Sequence, residues 1–508
     1  MRPRGLEARR PRTGGRYGRG VTRQRILFGE QLGPMFDDDE EPILLVESLA
    51  AFRKRPTHRA KAHLYLSAIR HRAAELGDRA ELVRADTFRE VLTGRDLVAV
   101  DPTSYGARRL VRSVGAEVLP SRGFVTSEAD FAGWVRGRTD ASLVMDNFYR
   151  WVREREGILM TRGGKPVGGR FSYDVDNRQP PPKKAETLGL PEPWWPEEDE
   201  IDEQVRADLD RWEREGVVHF LGADGPRRFA ATHGEAQEAL RWFVRDRLPD
   251  FGRWEDATLS GDWTMAHSLL SLPMNLGLID PREVVDAALD AYADGSVPLN
   301  SVEGFVRQIV GWRDWMWHLY WHLGEDYVHR NALGATNPVP DAFWELDAAA
   351  IEANCLSSVI AGVHEHGWAH HIQRLMMLGN FALERGFDPA ETSEWFIGAF
   401  VDGTPWVMPT NVVGMSLHAD GGVVATKPYA SGGAYIDRMT DYCGGCRFDP
   451  KVRVGEDACP FTAGYWAFLE KHRERFAANR RMAQPLAGLG RLKDLDEVVA
   501  QEATRTRW

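Results

Sequence analysis

Apolar residues in the first 135 positions fall into short runs rich in Val, Leu and Ile, at 25–29, 43–47, 82–85, 96–101, 117–120 and 123–126. Runs of this length, unbroken rather than alternating, fit strands buried on both faces of a parallel sheet. Between them, residues 60–76 carry apolar positions at helical spacing. Strands alternating with helices predict an N-terminal α/β domain, a doubly wound parallel sheet over residues 25–140. Such sheets take ligands beyond the carboxyl ends of their strands. Gly29, Glu30, Gln31 and Glu47 stand at those ends.

The pattern then changes twice. Residues 141–200 predict a long interdomain linker, with Gly163 and Gly164, Gly168 and Gly169, three prolines from Pro180 to Pro182, and Trp194 and Trp195 before Pro196. From 201 to 508 the periodicity is helical almost throughout, at 233–248, 283–292, 302–322, 348–378, 390–401 and 461–478, with a Gly-rich loop between 404 and 434. An all-helical second domain follows from this. No internal repeat is visible. Residues 1–24 predict a disordered basic tail: nine of the first 25 residues are Arg, and no apolar stretch marks a secretory signal. A phosphate-binding arm is the alternative for this tail.

Composition narrows the class. The 508 residues are 43% hydrophobic and 27% charged, which is the balance of a globular protein. No apolar run is long enough to span a membrane. A net charge of −11 argues against a general DNA coat but leaves room for a local basic face. Four Cys in so long a chain make no disulfide framework, and a reducing cytoplasm fits them best. The 18 Trp point to helix packing, or to an aromatic relay or stacking surface around a planar cofactor.

Several groupings carry chemistry. Cys443 and Cys446 form a Cys-x-x-Cys, Cys459 precedes Pro460, and Cys355 lies far upstream. Four thiolates complete a closed shell for a soft metal. Their spacing is wider than a compact zinc knuckle and looks like that of a cubane iron–sulfur cluster; zinc and free thiols stay open. His370 and His371 are adjacent on a helical pattern, so they point about 100° apart, one free to pack and the other to line a cavity. Ser271 and Asn275 open a helical segment and can hydrogen-bond a pyrophosphate. Trp312 and Arg313 pair an aromatic face with a guanidinium, while Trp315 and Trp317 read as core. Asp174, Asp176 and Asn177, with Asp256 later, suit either a hydrated divalent cation or a solvated turn.

Taken together, residues 25–480 resemble the cryptochrome/photolyase superfamily, and within it the iron–sulfur bacterial branch that includes prokaryotic (6-4) photolyases. The resemblance is carried by the segment around His370 and His371 with Gly379 and Asn380, by the segments around Ser271 and Trp312, by Asp402 and Asn411 followed by Asp420 and Tyr429, and by the four Cys. It implies an α/β antenna domain and an all-helical FAD-binding domain. It implies FAD held by Ser271, Asn275, Gln308, Trp312, Arg313, Asp402, Asn411 and Tyr429, with Asn411 facing flavin N5. It makes His371 the proton donor to the lesion beside His370, and Trp344 and Trp395 the electron-transfer tryptophans. The same resemblance implies a [4Fe–4S] cluster on Cys355, Cys443, Cys446 and Cys459, and a ribolumazine antenna on Gly29, Glu30, Gln31 and Glu47. Magnesium would sit near Asp176 and Asp256. The partner would be UV-damaged DNA with a flipped lesion, bound by a cytoplasmic monomer.

The chain departs from that pattern after Trp395. Two acidic positions of the repair members are Pro405 and Met408 here, a tyrosine is Thr404, and a second tyrosine is Phe396. Pro405 and Pro409 also remove backbone donors. Two functions follow: light-driven (6-4) repair, or a cryptochrome-like photoreceptor with flavin and cluster but no repair.

Overall fold

The computed structural model describes residues 23–37, 40–139 and 143–508. The basic tail therefore lies outside the described residues up to position 22, and Gln24 already belongs to the first strand. The strands are β1 (Gln24–Leu27), β2 (Ile43–Ser48), β3 (Thr57–His58), β4 (Ala80–Ala85), β5 (Leu97–Val100), β6 (Glu117–Leu119) and β7 (Phe220–Leu221). Five of them form one all-parallel sheet in the order β4-β2-β1-β5-β6. The order reverses between β1 and β5, which makes that crevice the topological switch point. β1, β2 and β5 are buried along nearly their whole length, as their unbroken apolar runs require. The short β3 and β7 pair separately.

Residues 123–126 are not a strand. Val125 is buried and Phe124 half-buried, both against the helical domain: the backbone N–H groups of Val125 and Thr126 donate to Asp314 at 3.2 and 2.7 Å, and the Thr126 hydroxyl donates to it at 3.0 Å. Asp314 is fully buried, and burial raises its pKa to about 6 against the lowering pull of Arg313 and these donors. This carboxylate clasps the α/β domain onto the helix Asp314–Leu323.

Residues 141–200 are not linker throughout. The helix Met145–Glu156 buries Phe148, Tyr149 and Val152, and only the segment after its left-handed Gly157 cap is irregular. That segment is held down by Asn177, which bonds Glu255 at 3.3 Å and the Asn300 carbonyl at 3.1 Å.

The rest is helical, with two differences from the periodicity. The stretch 348–378 is broken: helix Asn354–His366 ends on Gly367 at φ 61°, a left-handed cap. The stretch 404–434 contains helix as well as loop, since residues Thr410–Ser416 form a π-helical turn.

Candidate functional site

Three π-helical turns punctuate the helical domain, at Arg307–Arg313, Gln373–Gly379 and Thr410–Ser416. Such turns cost hydrogen-bond geometry and concentrate at functional sites, because the extra residue re-aims side chains. The first carries Gln308, Trp312 and Arg313, the second Arg374 and the third Asn411. The second and third pack closely at Gly379, where an added Cβ would lie 2.8 Å from the Ser416 hydroxyl.

Asp402 is the hub of this region. It accepts two parallel bonds from Arg374, at 2.8 and 3.1 Å, in the bidentate geometry that makes such pairs strong. It also accepts from the Ser271 hydroxyl at 2.8 Å, and its carbonyl accepts from Asn275 at 3.4 Å. Ser271, Asn275 and Asp402 are thus brought together as expected. Arg374 was not singled out from the sequence; a cation inside an otherwise apolar helical run was the signal for it. Asn411 donates to the Val407 carbonyl at 2.8 Å, and the half-buried Tyr429 lies by Arg178 of the linker, its pKa raised by burial. A small cleft of about 20 Å³ runs past His267, Ser268 and Pro273, flanking the Ser271 turn.

The two histidines divide as their spacing implies. His370 is 2% exposed, and its Nε2 pairs with the Thr258 hydroxyl at 2.9 Å. Burial holds it neutral, its pKa well below the usual range, with His267 and His371 adding to the effect. The His371 side chain is 46% exposed and meets Asp256 at 3.2 Å. Burial pulls its pKa down, but the Asp256 bond and charge outweigh that and raise it. A third imidazole, His267, stacks on His370 at 4.8 Å and meets His371 edge-on at 5.5 Å. Behind them Glu255 accepts from Gln308 at 2.5 Å, and burial lifts its pKa to about 7. Neither His267 nor Glu255 was legible as a site residue.

Asp176 pairs with Arg170 and Asp256 with His371, so each carboxylate is neutralised by its own cation. Among the described residues, the two share no group of three ligand atoms close enough for one ion. Arg313 lies at the boundary with the α/β domain. It donates to the Gly123 carbonyl at 2.7 Å and the Met274 carbonyl at 3.3 Å, with its guanidinium over Phe124 and Trp406. The half-buried Trp312 packs against the main core.

At the switch point, Gly29 and Glu30 face Tyr65, Lys61 and Arg313. Burial raises Glu30 to about 7 against the opposing charges of Lys61 and Arg313. Gln31 and Glu47 have other work. The Gln31 amide donates to the Val100 carbonyl at 3.1 Å and accepts from the Phe28 N–H at 3.3 Å. Glu47 takes both oxygens to Arg70, at 2.6 and 3.0 Å, in a buried network that includes Asp208. Both Glu47 oxygens are engaged, while the Gln31 amide makes one donor and one acceptor bond here.

Cys355, Cys443, Cys446 and Cys459 line one pocket with Tyr442, Phe448 and Phe461. Burial, reinforced by the other sulfurs, pushes the Cys355 thiol well up and the Cys443 thiol to about 12, so as thiols they stay protonated. A metal would reverse this by stabilising thiolates. No three of the four sulfurs lie within 4.8 Å of one another. Tetrahedral zinc with bonds of about 2.3 Å needs sulfurs only roughly 3.8 Å apart. The spread suits a larger inorganic core. An added Cβ on Gly433 would come 2.8 Å from the Cys459 sulfur, so glycine leaves the pocket open.

Trp395 is 1% exposed and donates to the Phe343 carbonyl at 2.7 Å; Trp344 donates to Glu391 at 3.2 Å. The ring packed on Trp395 from that side is Phe343, at 5.3 Å.

A doubly wound domain is thus clasped to a helical domain in which the Arg374–Asp402 pair lies among π-helical turns. Residues 25–217 match the family model of deoxyribodipyrimidine photo-lyase-related proteins. The chain is 39% identical over 500 residues to a (6-4) photolyase of Agrobacterium fabrum, covering 92% of this chain and 96% of that protein. Two solved structures share the fold: a bacterial class III photolyase from Agrobacterium tumefaciens, at 16% identity, TM-score 0.54 and 95% of each chain, and the Synechocystis sp. PCC6803 cryptochrome, at 12% identity, TM-score 0.59, 95% of this chain and 99% of that one. The chain belongs to the photolyase–cryptochrome superfamily, in its bacterial branch.

That family implies FAD, and the residues present fit it. The buried His370 Nδ1, the His267 Nε2 and the Thr404 hydroxyl have no protein partner, and a polar ring system supplies what they lack. Among the described residues no helix is long and apolar enough to cross a membrane.

Proposed function

We propose that this protein is a blue-light-driven flavoprotein DNA photolyase of the (6-4) type. The observation that carries the reading is the His371–Asp256 pair beside the Arg374–Asp402 hub. It sets a half-exposed, proton-bearing imidazole within reach of the Arg374 guanidinium and its Asp402 partner. Bound FAD supplies the light-driven electron; the chain supplies position and protons. Asp402, Arg374, Ser271 and Asn275 hold the cofactor side of the site. His370, neutral and pinned by Thr258, fixes the backbone from which His371 projects. His371, kept protonated by Asp256, donates to a base flipped out of UV-damaged DNA, an extrusion that costs least at an already unstacked lesion. Trp395 and Trp344 carry electrons from the surface. The four Cys hold a [4Fe–4S] cluster, which their wide spread favours over zinc. The strand end at Gly29 and Glu30, beside Tyr65, takes a ribolumazine-type antenna.

Purified protein with bound FAD, illuminated with blue light on an oligonucleotide holding one (6-4) lesion, should restore the paired bases. Full flavin occupancy without restoration overturns the reading. One observation favours a second, cryptochrome-like function: Met408 and Thr404 are buried where the repair members have an acid and a tyrosine, which removes polar groups from the lesion side. Light-induced flavin reduction without repair would support that function instead.

A further inference from the structure

A second line of aromatic rings leads away from the site in another direction. Trp406, 2% exposed, lies between Asp402 and Asn411 in the chain. It meets Trp317 edge-to-face at 5.7 Å, and Trp317 meets Trp321 at 5.3 Å, one helical turn further along Asp314–Leu323. Trp321 meets Tyr105 of the α/β domain at 4.6 Å. Phe124 stacks on Trp317 at 4.0 Å and braces the line across the domain boundary.

Buried Trp normally finds a partner for its N–H, as Trp395 and Trp344 do here. Among the described residues the buried Nε1 atoms of Trp317 and Trp321 have none, a state they share with Trp134 and Trp315 of the main core. A phenylalanine at either place would fill most of the space without a buried orphan donor, which costs free energy. What an indole offers and a phenyl ring does not is ready one-electron oxidation.

We propose that Trp406, Trp317, Trp321 and Tyr105 form a second electron relay, opening at the surface of the α/β domain. The inference rests on the FAD-binding reading above. One electron passes from Trp406 to excited oxidised flavin, and the resulting hole is filled in turn from Trp317, Trp321 and Tyr105. The missing N–H acceptors matter to this order. An oxidised Trp317 or Trp321 has no base to take its proton, so the hole is not trapped there. The Arg108 guanidinium, 3.3 Å above the Trp321 ring, opposes positive charge on it and pushes the hole outward. Tyr105 is half-buried, with its hydroxyl bonded to the Tyr320 carbonyl at 2.9 Å. On oxidation it loses its hydroxyl proton to water, and a thiol in solution returns one electron and one proton. The first route, through Trp395, is flanked by Phe396 and Phe343, which are poor stations, so a second exit has something to do.

The test uses full-length holoprotein with Trp317→Phe, Trp321→Phe and Tyr105→Phe, each checked for FAD occupancy by absorbance. After a light pulse, transient absorption and electron paramagnetic resonance should show a tyrosyl radical in the wild type and not in Tyr105→Phe. Trp321→Phe should slow thiol-dependent flavin reduction several-fold, and combining it with Trp395→Phe should abolish reduction. If Trp317→Phe loses its flavin, the two peripheral variants decide. Wild-type radical signals and rates that persist in both overturn the relay. A wild type that binds no flavin overturns the functional reading instead.

Discussion

At the scale of single residues, the site works by giving neighbouring groups different protonation. His370 and His267 are held neutral by burial, while His371 is held protonated by Asp256. Because the His371 pKa is raised, its paired form is fully present below the free-imidazole value and is lost as pH rises through the higher folded value. Asp256→Asn should therefore lower that pKa and shift the alkaline limb of the repair rate to lower pH; an NMR titration of the ring alongside the rate profile checks both. His371→Asn should abolish repair while leaving the flavin spectrum intact. Glu255 makes a second pH statement. Its carboxyl is raised from 4.5 to about 7 by burial, so its contribution to stability is full below 4.5 and is lost as pH climbs to 7. Urea unfolding should show the wild type losing up to about 3 kcal/mol across that window relative to Glu255→Gln, whose amide does not titrate. The histidine pair was legible in the sequence because adjacency on a helix fixes an angle. Glu255 and His267 were not, because their roles arise only when distant segments meet. Gln31 and Glu47 show the reverse: strand-end position suggested ligand contact, and local partners already bond both side chains.

Elements show where periodicity informs and where it misleads. Unbroken apolar runs correctly marked β1, β2 and β5, since a strand covered on both faces has no polar side. The same signal misled at 123–126, where the covering surface is a helix of the other domain. The three π-helical turns are invisible to a 3.6-residue pattern, because one inserted residue shifts the register only locally. The cysteine pocket was more readable: thiols are rare here, and four at such spacing had few uses. Its closure depends on helix Asn354–His366 bringing Cys355 to a loop nearly a hundred residues later. On the proposed [4Fe–4S] reading, Cys355→Ser should remove the cluster absorption, lower the thermal midpoint and leave the α/β sheet folded, as absorbance and circular dichroism would report. Gly33 is a sharper case of contact between elements. Leu32 donates to the Leu276 carbonyl at 3.0 Å, and a Cβ at Gly33 would collide with the Gly277 backbone. Gly33→Ala should destabilise the protein by about 1–3 kcal/mol, read by urea unfolding, because backbone on backbone leaves no flexible atom to yield.

For the whole molecule, the question is what keeps the two domains in one arrangement. Lys61 reaches from the α/β domain to the carbonyls of Ile397 and Gly403, beside Asp402. Arg313 reaches the other way to Gly123. Between them Asp314 accepts three bonds from residues 125 and 126, with no exposure to water. A buried carboxylate is tolerated only where donors surround it, and removing it leaves those donors orphaned. Asp314→Ala should therefore cost about 2–5 kcal/mol, much of it at the boundary rather than within either domain. The expected result is a biphasic urea transition in which the Phe124–Trp317 stack, followed by tryptophan fluorescence, is lost before the β1–β5 sheet, with faster proteolysis in the irregular segment 157–199. A single cooperative transition with unchanged cleavage would mean that Lys61 and Arg313 hold the domains without it. The same variant bears on function, since the Trp317–Phe124 contact lies at this boundary. If the domains separate, thiol-dependent flavin reduction through the proposed relay should weaken, while flavin stays bound by the helical domain.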